Sequence, residues 1–291
     1  MELFQVHLSS STTLATCQCL QKPSPSPEIN SSNTVAHGKY IYNLCRENNE
    51  YQISSVIDEL TTANTYGIDL VIHQGKNIES EGLTRLGALQ NYISSINSIL
   101  SKTSNLTNTL LLENSARQGT ELGYNMSELG YIMDQIDDPY NRVKVCIDTC
   151  HAFVAGVCDF RSISSTLNFI EELKTEIGIN RIGLIHLNDS AVQFGGCNDH
   201  HGDFMGGFIT NPLLMGNSDG MMIFAQFIRT NNIPWVFETP ENVSSIDHQR
   251  QYIFNLMNGM VNGLDTSNYE KIGKELYENK KKIGIKLKKG F

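Results

Sequence analysis

The sequence predicts an α/β fold assembled from parallel β-α-β units, arranged either as a closed barrel or as an open doubly wound sheet. Short apolar runs alternate with amphipathic helical patterns through most of the 291 residues. Some runs, such as Leu-Val-Ile at 70–72 and Leu-Leu-Leu at 110–112, are apolar on successive residues, which is typical of strands covered on both faces. No Gly-x-Gly-x-x-Gly pattern follows the first run, which counts against a dinucleotide-binding sheet.

Seven segments are expected to form strands, because each is a short apolar run bounded by polar or turn-forming residues. They cover residues 3–8, 34–38, 69–75, 109–115, 143–149, 181–189 and 235–240. A complete barrel of parallel β-α units has eight strands, so the sequence supplies one strand fewer than this fold needs.

Six helices are expected between these strands, from apolar residues spaced three and four positions apart. They cover residues 52–66, 83–100, 126–136, 163–177, 221–231 and 247–260. The segment 21–34 is rich in Pro, Ser and Asn, and we expect a loop there in place of the helix after the first strand.

The chain divides into a barrel domain at 1–260 and a basic C-terminal tail at 261–291. The last part of the tail, 271–291, contains eight lysines. Because runs of like charge rarely pack, we expect a solvated segment, with a phosphate-binding tail as the alternative.

Composition limits the class of protein. With 40% hydrophobic residues, the chain can bury one large core. It has no apolar run of the ~18 residues that a membrane helix needs, and its N-terminus lacks a basic and apolar signal sequence, so we expect a cytoplasmic protein without a membrane partner.

The seven cysteines are odd in number and show no Cys-x-x-Cys spacing, which argues against a disulfide framework or a zinc ribbon. The net charge of −9 argues against nucleic-acid binding, unless several acids neutralise bound cations.

The strongest functional pattern is a histidine or carboxylate at the end of nearly every apolar run. The six residues are His37, His73, Glu113, Asp148, His186 and Glu238. In a parallel barrel the C-terminal ends of the strands converge on one face, so these side chains are expected to share one pocket. Imidazole and carboxylate groups are the ligands that hold zinc or manganese.

Three further groups extend this pattern. His151 follows Asp148 by three residues, and Asp199 and His201 lie in the stretch Asn-Asp-His-His-Gly-Asp at 198–203. Any one of these residues alone is more often structural, but the agreement of six strand ends favours a site for several ions. Several cations held close together suit in-line displacement at a phosphodiester.

Several sequence blocks, taken together, resemble the endonuclease IV family of apurinic/apyrimidinic (AP) endonucleases. They are HGKYIYNL (37–44), LLLENSARQGTELG (110–123), CIDTCHAFVAGVCDF (146–160), IHLNDS (185–190), DHHGDFMGGFI (199–209) and VFETPE (236–241). The resemblance covers roughly residues 34–260. It implies a xylose isomerase-like (β/α)8 TIM barrel with three zinc ions at its C-terminal face, manganese being an alternative at one site.

The resemblance also implies a role for each residue. His37 and His73 would bind the first ion, and Glu113 would bridge it to the second. Asp148, His186 and Glu238 would complete the second ion, while His151, Asp199 and His201 would hold the third. His201 is chosen over His200 because an Asp-x-His alignment places Gly207 and Ile209 at the Gly and Ile of the family block. Asp148 and His151 are thus expected to bind different ions, and Glu113, Asp148 and Glu238 are the expected catalytic residues.

The implied activity is hydrolysis of the phosphodiester 5′ to an abasic site in double-stranded DNA, which leaves a 3′-hydroxyl, together with 3′-repair trimming. Tyr40 matches an aromatic residue expected to contact the DNA, with packing beneath the loop as the alternative.

Two departures from the family pattern lead to further expectations. The chain starts at the strand that corresponds to the second strand of the family, so the first βα unit is expected to be lacking and a barrel edge to be open. Either the barrel closes differently, or a partner chain covers the gap, or the chain is partly degenerate. We expect a monomer, with association through that edge as the alternative if it is open. The loop after the first strand also lacks the expected basic and aromatic residues.

Two other functions stay open at this point. A metal-dependent sugar isomerase or epimerase of the same barrel type would use one or two ions and would not need His151, Asp199 and His201. A DNA-binding relative that has lost catalysis is the second alternative.

Overall fold

The computed structural model describes residues 3–8, 32–238 and 246–259. These residues form a seven-stranded parallel sheet whose strands lie side by side in chain order. Its strands are β1 (Phe4–His7), β2 (Thr34–His37), β3 (Leu70–His73), β4 (Leu110–Glu113), β5 (Val143–Asp148), β6 (Ile182–His186) and β9 (Trp235–Val236). All seven predicted strands are confirmed.

Two short strands outside this sheet, β7 (Asp189–Ser190) and β8 (His201–Gly202), pair antiparallel. They form in the loop after β6, and their pairing brings His201 back to the mouth of the sheet.

The helices follow the strands in turn and pack on the outside of the sheet. They are α1 (Glu50–Thr65), α2 (Arg85–Lys102), α3 (Met126–Gln135), α4 (Thr149–Val154), α5 (Ile163–Glu172), α6 (Asp219–Thr230) and α7 (Ile246–Met257). Helix α5 continues as one π-helical turn over Leu173–Ile177, and short 3-10 turns cover Glu79–Glu81, Ile179–Arg181 and Pro212–Leu214. The six predicted helices are confirmed within a few residues at their ends.

Helix α4 is the one helix that periodicity did not predict. It begins directly at the end of β5, where the Asp148 side chain accepts a hydrogen bond of 2.8 Å from the His151 backbone N–H. A carboxylate at this position caps the first turn of a helix, so one residue ends the strand and starts the helix.

The seven strands curve into a nearly closed ring. Seven buried side chains meet inside it, one from each of β2 to β6 and β9 and one from the residue just before β1: Leu3, Val35, Val71, Leu111, Cys146, Leu184 and Val236. The Leu3 backbone N–H, just before β1, donates a hydrogen bond of 2.8 Å to the carbonyl oxygen of Trp235 in β9. One backbone hydrogen bond thus joins the two edges of the sheet, and this seven-stranded barrel is consistent with the expected lack of the first βα unit.

A second, larger apolar cluster fills the layer between the ring and the helices. It includes Ile72 and Ile147, whose side chains point outward from the strands, and Ile96 and Phe224 from the surrounding helices. Strands covered on both faces explain the uninterrupted apolar runs in the sequence.

Several predictions concern residues that lie partly or wholly outside the described ranges. Most of the expected loop at 21–34, the tail at 261–291 and Cys17 and Cys19 belong to them, so the domain boundary stays a prediction. The five cysteines within the described ranges are free thiols. No helix within those ranges is long and apolar enough to cross a lipid bilayer.

The interior ring can be tested by removing one of its side chains. Leu111 is 2% exposed in β4, so Leu111→Ala is expected to lower the free energy of unfolding by roughly 2–5 kcal/mol. Leu86 in α2 is 57% exposed, and Leu86→Ala is expected to change the free energy of unfolding by less than about 0.5 kcal/mol. Urea denaturation followed by circular dichroism measures both, and equal losses would contradict a packed ring.

Candidate metal centre

The predicted site residues meet at the C-terminal ends of the barrel strands. Their imidazole and carboxylate atoms, together with the thiol of Cys150, fall into overlapping groups, each close enough to hold one cation. The groups are His37, His73 and Glu113; Glu113, Asp148, His186 and Glu238; Asp148, His151 and His201; and Cys150, Asp199 and His201. The structure thus brings together all of the residues that the strand-end pattern and its extension singled out.

The first group comes from the ends of three adjacent strands, β2, β3 and β4. The Nε2 atoms of His37 and His73 lie 3.3 and 3.5 Å from Oε2 of Glu113. Both imidazoles therefore face the same carboxylate oxygen.

The second group shares Glu113 through its other oxygen. Nδ1 of His186 lies 2.9 Å from Oε1 of Glu113 and 3.0 Å from Oε2 of Glu238. Oδ2 of Asp148 lies 3.7 Å from the same nitrogen. Glu113 consequently stands between the first two groups, one oxygen towards each.

The third set is built on Asp199. Its Oδ1 lies 3.2 Å from Nε2 of His151 and 3.3 Å from Nε2 of His201. Asp199 and His201, the two residues of the Asp-x-His pair, therefore both lie at the site. Oδ2 of Asp148 lies 3.5 Å from Nε2 of His201. Asp148 is thus close enough to share an ion with His151 and His201, and the assignment of Asp148 and His151 to different ions stays a prediction.

Backbone carbonyl groups orient three of the imidazoles. Nδ1 of His37 lies 2.8 Å from the Gly38 carbonyl oxygen, and Nδ1 of His151 lies 2.8 Å from that of Asn114. Nδ1 of His201 lies 3.1 Å from the Glu238 carbonyl oxygen. With Nδ1 held as the donor, Nε2 is left as an electron-pair donor directed into the cluster, the arrangement common for metal-bound histidine.

Amide side chains that sequence reasoning missed hold the carboxylates. Asn188 Nδ2 donates to Oδ2 of Asp148 at 2.7 Å and to Oε2 of Glu238 at 3.1 Å. Gln5 Nε2 donates to Oε1 of Glu238. Asn114 holds the backbone of Asp148 instead, because its Oδ1 accepts a hydrogen bond of 2.6 Å from the Asp148 N–H. Asn114 follows the end of β4 by one residue and Asn188 follows the end of β6 by two, so an amide within two residues of a candidate ligand was the signal that could have identified them.

The charges of the site balance one another. Burial opposes ionisation of Glu113, but His186 and His73 hold the pKa of its carboxyl well below the usual range. Burial also disfavours the charged form of His201, yet Asp148, Asp199 and Glu238 raise its pKa to about 9. The buried carboxylates thus require positive charge beside them, which protonated imidazoles or bound cations can provide.

The donor set fits divalent zinc. Among the described residues, the buried Nε2 atoms of His151 and His201 face Oδ1 of Asp199 and have no hydrogen-bond partner. Buried polar atoms without a partner are costly, and a cation bound by nitrogen and carboxylate oxygen would satisfy them.

A cavity of about 520 Å³ opens beside the clusters. His73, Asp199 and Tyr40 lie on its wall, together with Gln118 and Glu121. The Tyr40 ring lies 5.0 Å from the ring of His37 between centroids, and its hydroxyl lies 3.2 Å from Nε2 of His7. His7 ends β1 and fits the strand-end pattern, but it was not singled out from the sequence. It contacts both Tyr40 and His37, with its ring 5.3 Å from that of His37 between centroids.

Known proteins resemble this chain in sequence and in structure. A family model described as the xylose isomerase-like TIM barrel matches residues 28–242. A sequence from Acanthamoeba polyphaga mimivirus that carries the name putative endonuclease 4 is 32% identical over 229 residues, which span 76% of this chain and 70% of the relative.

Two solved structures share the fold. Endonuclease IV from Thermus thermophilus superposes with a TM-score of 0.68 at 22% identity, over 88% of this chain and 89% of that one. A D-tagatose 3-epimerase-like protein superposes with a TM-score of 0.62 at 18% identity, over 79% of each chain. At these identities the superpositions establish the TIM barrel and exclude the doubly wound sheet, but they do not choose between a nuclease and an epimerase.

The third group can be tested by metal analysis. Asp199→Asn removes the carboxylate between His151 and His201, so the zinc content after dialysis is expected to fall by about one ion per chain. Asp159→Asn is the matched control, because Asp159 pairs with Arg161 at 2.8 Å outside the clusters. Inductively coupled plasma mass spectrometry measures both variants, and an unchanged content in Asp199→Asn would remove Asp199 from the ligand set.

Proposed function

Because this chain belongs to the endonuclease IV family of xylose isomerase-like TIM barrels, we propose that it is an AP endonuclease that acts in DNA repair. The reaction is hydrolysis of the phosphodiester 5′ to an abasic site in duplex DNA, with a free 3′-hydroxyl as the product. Trimming of blocked 3′ ends is a second expected activity, since it breaks the same kind of bond.

The observation that carries this proposal is the continuity of the three ligand groups. Glu113 stands between the first two groups, and Asp148 lies beside both the second and the third. Cations bound at neighbouring groups would compensate negative charge on the attacking, non-bridging and leaving oxygens of one phosphodiester.

Zinc is the cation that we propose, with three ions per chain and manganese as the alternative at one site. His37, His73 and Glu113 would hold the first; Glu113, Asp148, His186 and Glu238 the second; and His151, Asp199 and His201 the third. Zinc supplies Lewis acidity, which lowers the pKa of a water molecule and compensates negative charge on phosphate oxygens.

The protein's own contribution is to fix these ligands before the substrate arrives. Asn188 holds the Asp148 and Glu238 carboxylates in a fixed relation to each other, and Gln5 holds the second oxygen of Glu238. Ligands that are positioned in advance need not reorganise during the reaction, which lowers the barrier. Glu113, Asp148 and Glu238 are therefore the proposed catalytic residues.

The proposed substrate is double-stranded DNA, in spite of the net charge of −9. Four of the acidic residues lie in the ligand groups, so bound cations would reverse the charge of the barrel mouth. Tyr40 is half exposed at the edge of the cavity, where it can contact the DNA at the abasic site.

The sugar epimerase is the less favoured alternative. A site of that kind needs one or two ions, whereas His151, Asp199 and His201 form a further set next to the second group. A DNA-binding relative without activity is disfavoured because every expected ligand is present and oriented towards the cluster.

The direct test is incubation of the zinc-loaded protein with a duplex that carries one abasic site. We expect a nick on the 5′ side of the site, its loss with a chelator and its recovery when zinc is added back. Gel electrophoresis against markers with a 3′-hydroxyl identifies the product. Bound zinc without a nick would favour the inactive relative, and epimerisation of a ketose would favour the alternative enzyme.

Glu238→Ala tests the proposed cluster. Loss of this carboxylate is expected to lower kcat by roughly a thousandfold or more, which corresponds to the several kcal/mol that a metal site contributes to a transition state. Glu81→Ala is the control, because Glu81 pairs with Arg46 at the surface and away from the site. Circular dichroism checks that both variants are folded, and near-normal turnover of Glu238→Ala would refute the assignment.

A further inference from the structure

A tight turn carries Tyr40 at the mouth of the barrel. The Tyr42 backbone N–H lies 3.4 Å from the Lys39 carbonyl oxygen, which closes the turn. The two central residues project into solvent, with Tyr40 50% and Ile41 38% exposed. The two end residues, Lys39 and Tyr42, are 1% and 3% exposed.

Both buried ends are tied to one face of helix α1. Lys39 Nζ donates a hydrogen bond of 3.3 Å to Ser55 Oγ. The Tyr42 hydroxyl lies 3.0 Å from the same Ser55 oxygen and donates to Glu59 Oε2 at 2.8 Å. Ser55 and Glu59 are four residues apart, so they lie one above the other on the helix.

The chemistry of these four residues is unusual for simple packing. A fully buried lysine and a fully buried glutamate are costly unless hydrogen bonds satisfy them, and apolar residues of similar volume would fill the space at lower cost. A buried polar network satisfies all of its hydrogen bonds in one arrangement. It therefore fixes the position of the turn more narrowly than apolar contacts would. Burial and the nearby Glu59 raise the pKa of Tyr42, which keeps its hydroxyl protonated as the donor.

The backbone beside the turn is also adapted to the network. A Cβ atom at Gly38 would lie 3.1 Å from the Val71 carbonyl oxygen and 3.3 Å from Glu59 Oε2. A glycine at this position therefore lets the Glu59 carboxylate come close to β2 directly beneath the turn.

The exposed side of the turn faces the proposed site. The Tyr40 ring lies 5.0 Å from that of His37 and 5.7 Å from that of His73 between centroids. A small displacement of the turn would therefore move Tyr40 relative to two proposed ligands of the first ion.

We infer that Lys39, Tyr42, Ser55 and Glu59 form a brace that fixes the turn, so that Tyr40 and Ile41 meet the DNA in one position. The inference rests on the proposed function, because it concerns how this turn engages the abasic duplex. The four residues are positioning residues: they are buried behind the turn and act through Tyr40 and Ile41.

Tyr42→Phe tests the brace with a minimal change. It deletes the hydroxyl that links Ser55 to Glu59, and we expect kcat/KM on abasic duplex to fall about tenfold, mainly through a higher KM. Zinc content is expected to stay unchanged. Tyr92→Phe is the matched control, since Tyr92 is fully buried and its hydroxyl has no hydrogen-bond partner among the described residues.

A double-mutant cycle separates positioning from general destabilisation. A variant with both Tyr40→Ala and Ile41→Ala lacks the two side chains that the turn presents to the DNA. Adding Tyr42→Phe to this variant is therefore expected to change kcat/KM by less than about twofold. Full additivity, or an unchanged kcat/KM in the single variant, would overturn the inference. Ser55→Ala, which removes the oxygen shared by Lys39 and Tyr42, replaces Tyr42→Phe if that variant does not fold.

Failure of the inference is distinct from failure of the proposed function. If the unaltered protein does not cleave abasic duplex, the proposed function fails. If it does cleave and the cycle shows no coupling, only the brace fails.

Discussion

The whole mouth of the barrel depends on the buried carboxylate of Glu113. Its side chain is 1% exposed, and four imidazoles surround it within 3.5 Å: His37, His73, His151 and His186. A negative charge this deeply buried is stable only beside positive charge. The groups around Glu113 are therefore limited to basic side chains and bound cations. The ring of strands matters to function because it delivers these groups from separate β-α units to one point.

Much of this arrangement could be predicted from the sequence, because the controlling signals are local. Runs apolar on successive residues marked the strands, and a histidine or acid at the end of nearly every run marked the candidate ligands. Asp199 and His201 lie in a loop, and the Asp-x-His spacing in a matched block identified them where periodicity could not. The choice of His201 rested on the alignment of Gly207 and Ile209, and the geometry agrees with it.

What sequence reasoning missed depends on contacts between distant segments. A hydrogen bond joins Leu3 to Trp235, and a count of strands could not show that seven come this close to a closed ring. The amides of Gln5 and Asn188 gain their roles only when β1, β6 and the end of β9 lie side by side. Helix α4 is too short to produce a periodic apolar pattern. Its start depends instead on one capping carboxylate, that of Asp148, which is also a proposed ligand.

Closure between the first and last strands also has a consequence for how the protein acquires its structure. Leu3 and Trp235 are far apart in the chain, so the contact that completes the ring has a high loop-closure cost and is expected to form late in folding. The same step brings Gln5 to Glu238 and thereby completes the second ligand group. Binding of cations to the proposed groups would then be linked to the final stage of folding, because it would stabilise the contact between the two edges of the sheet.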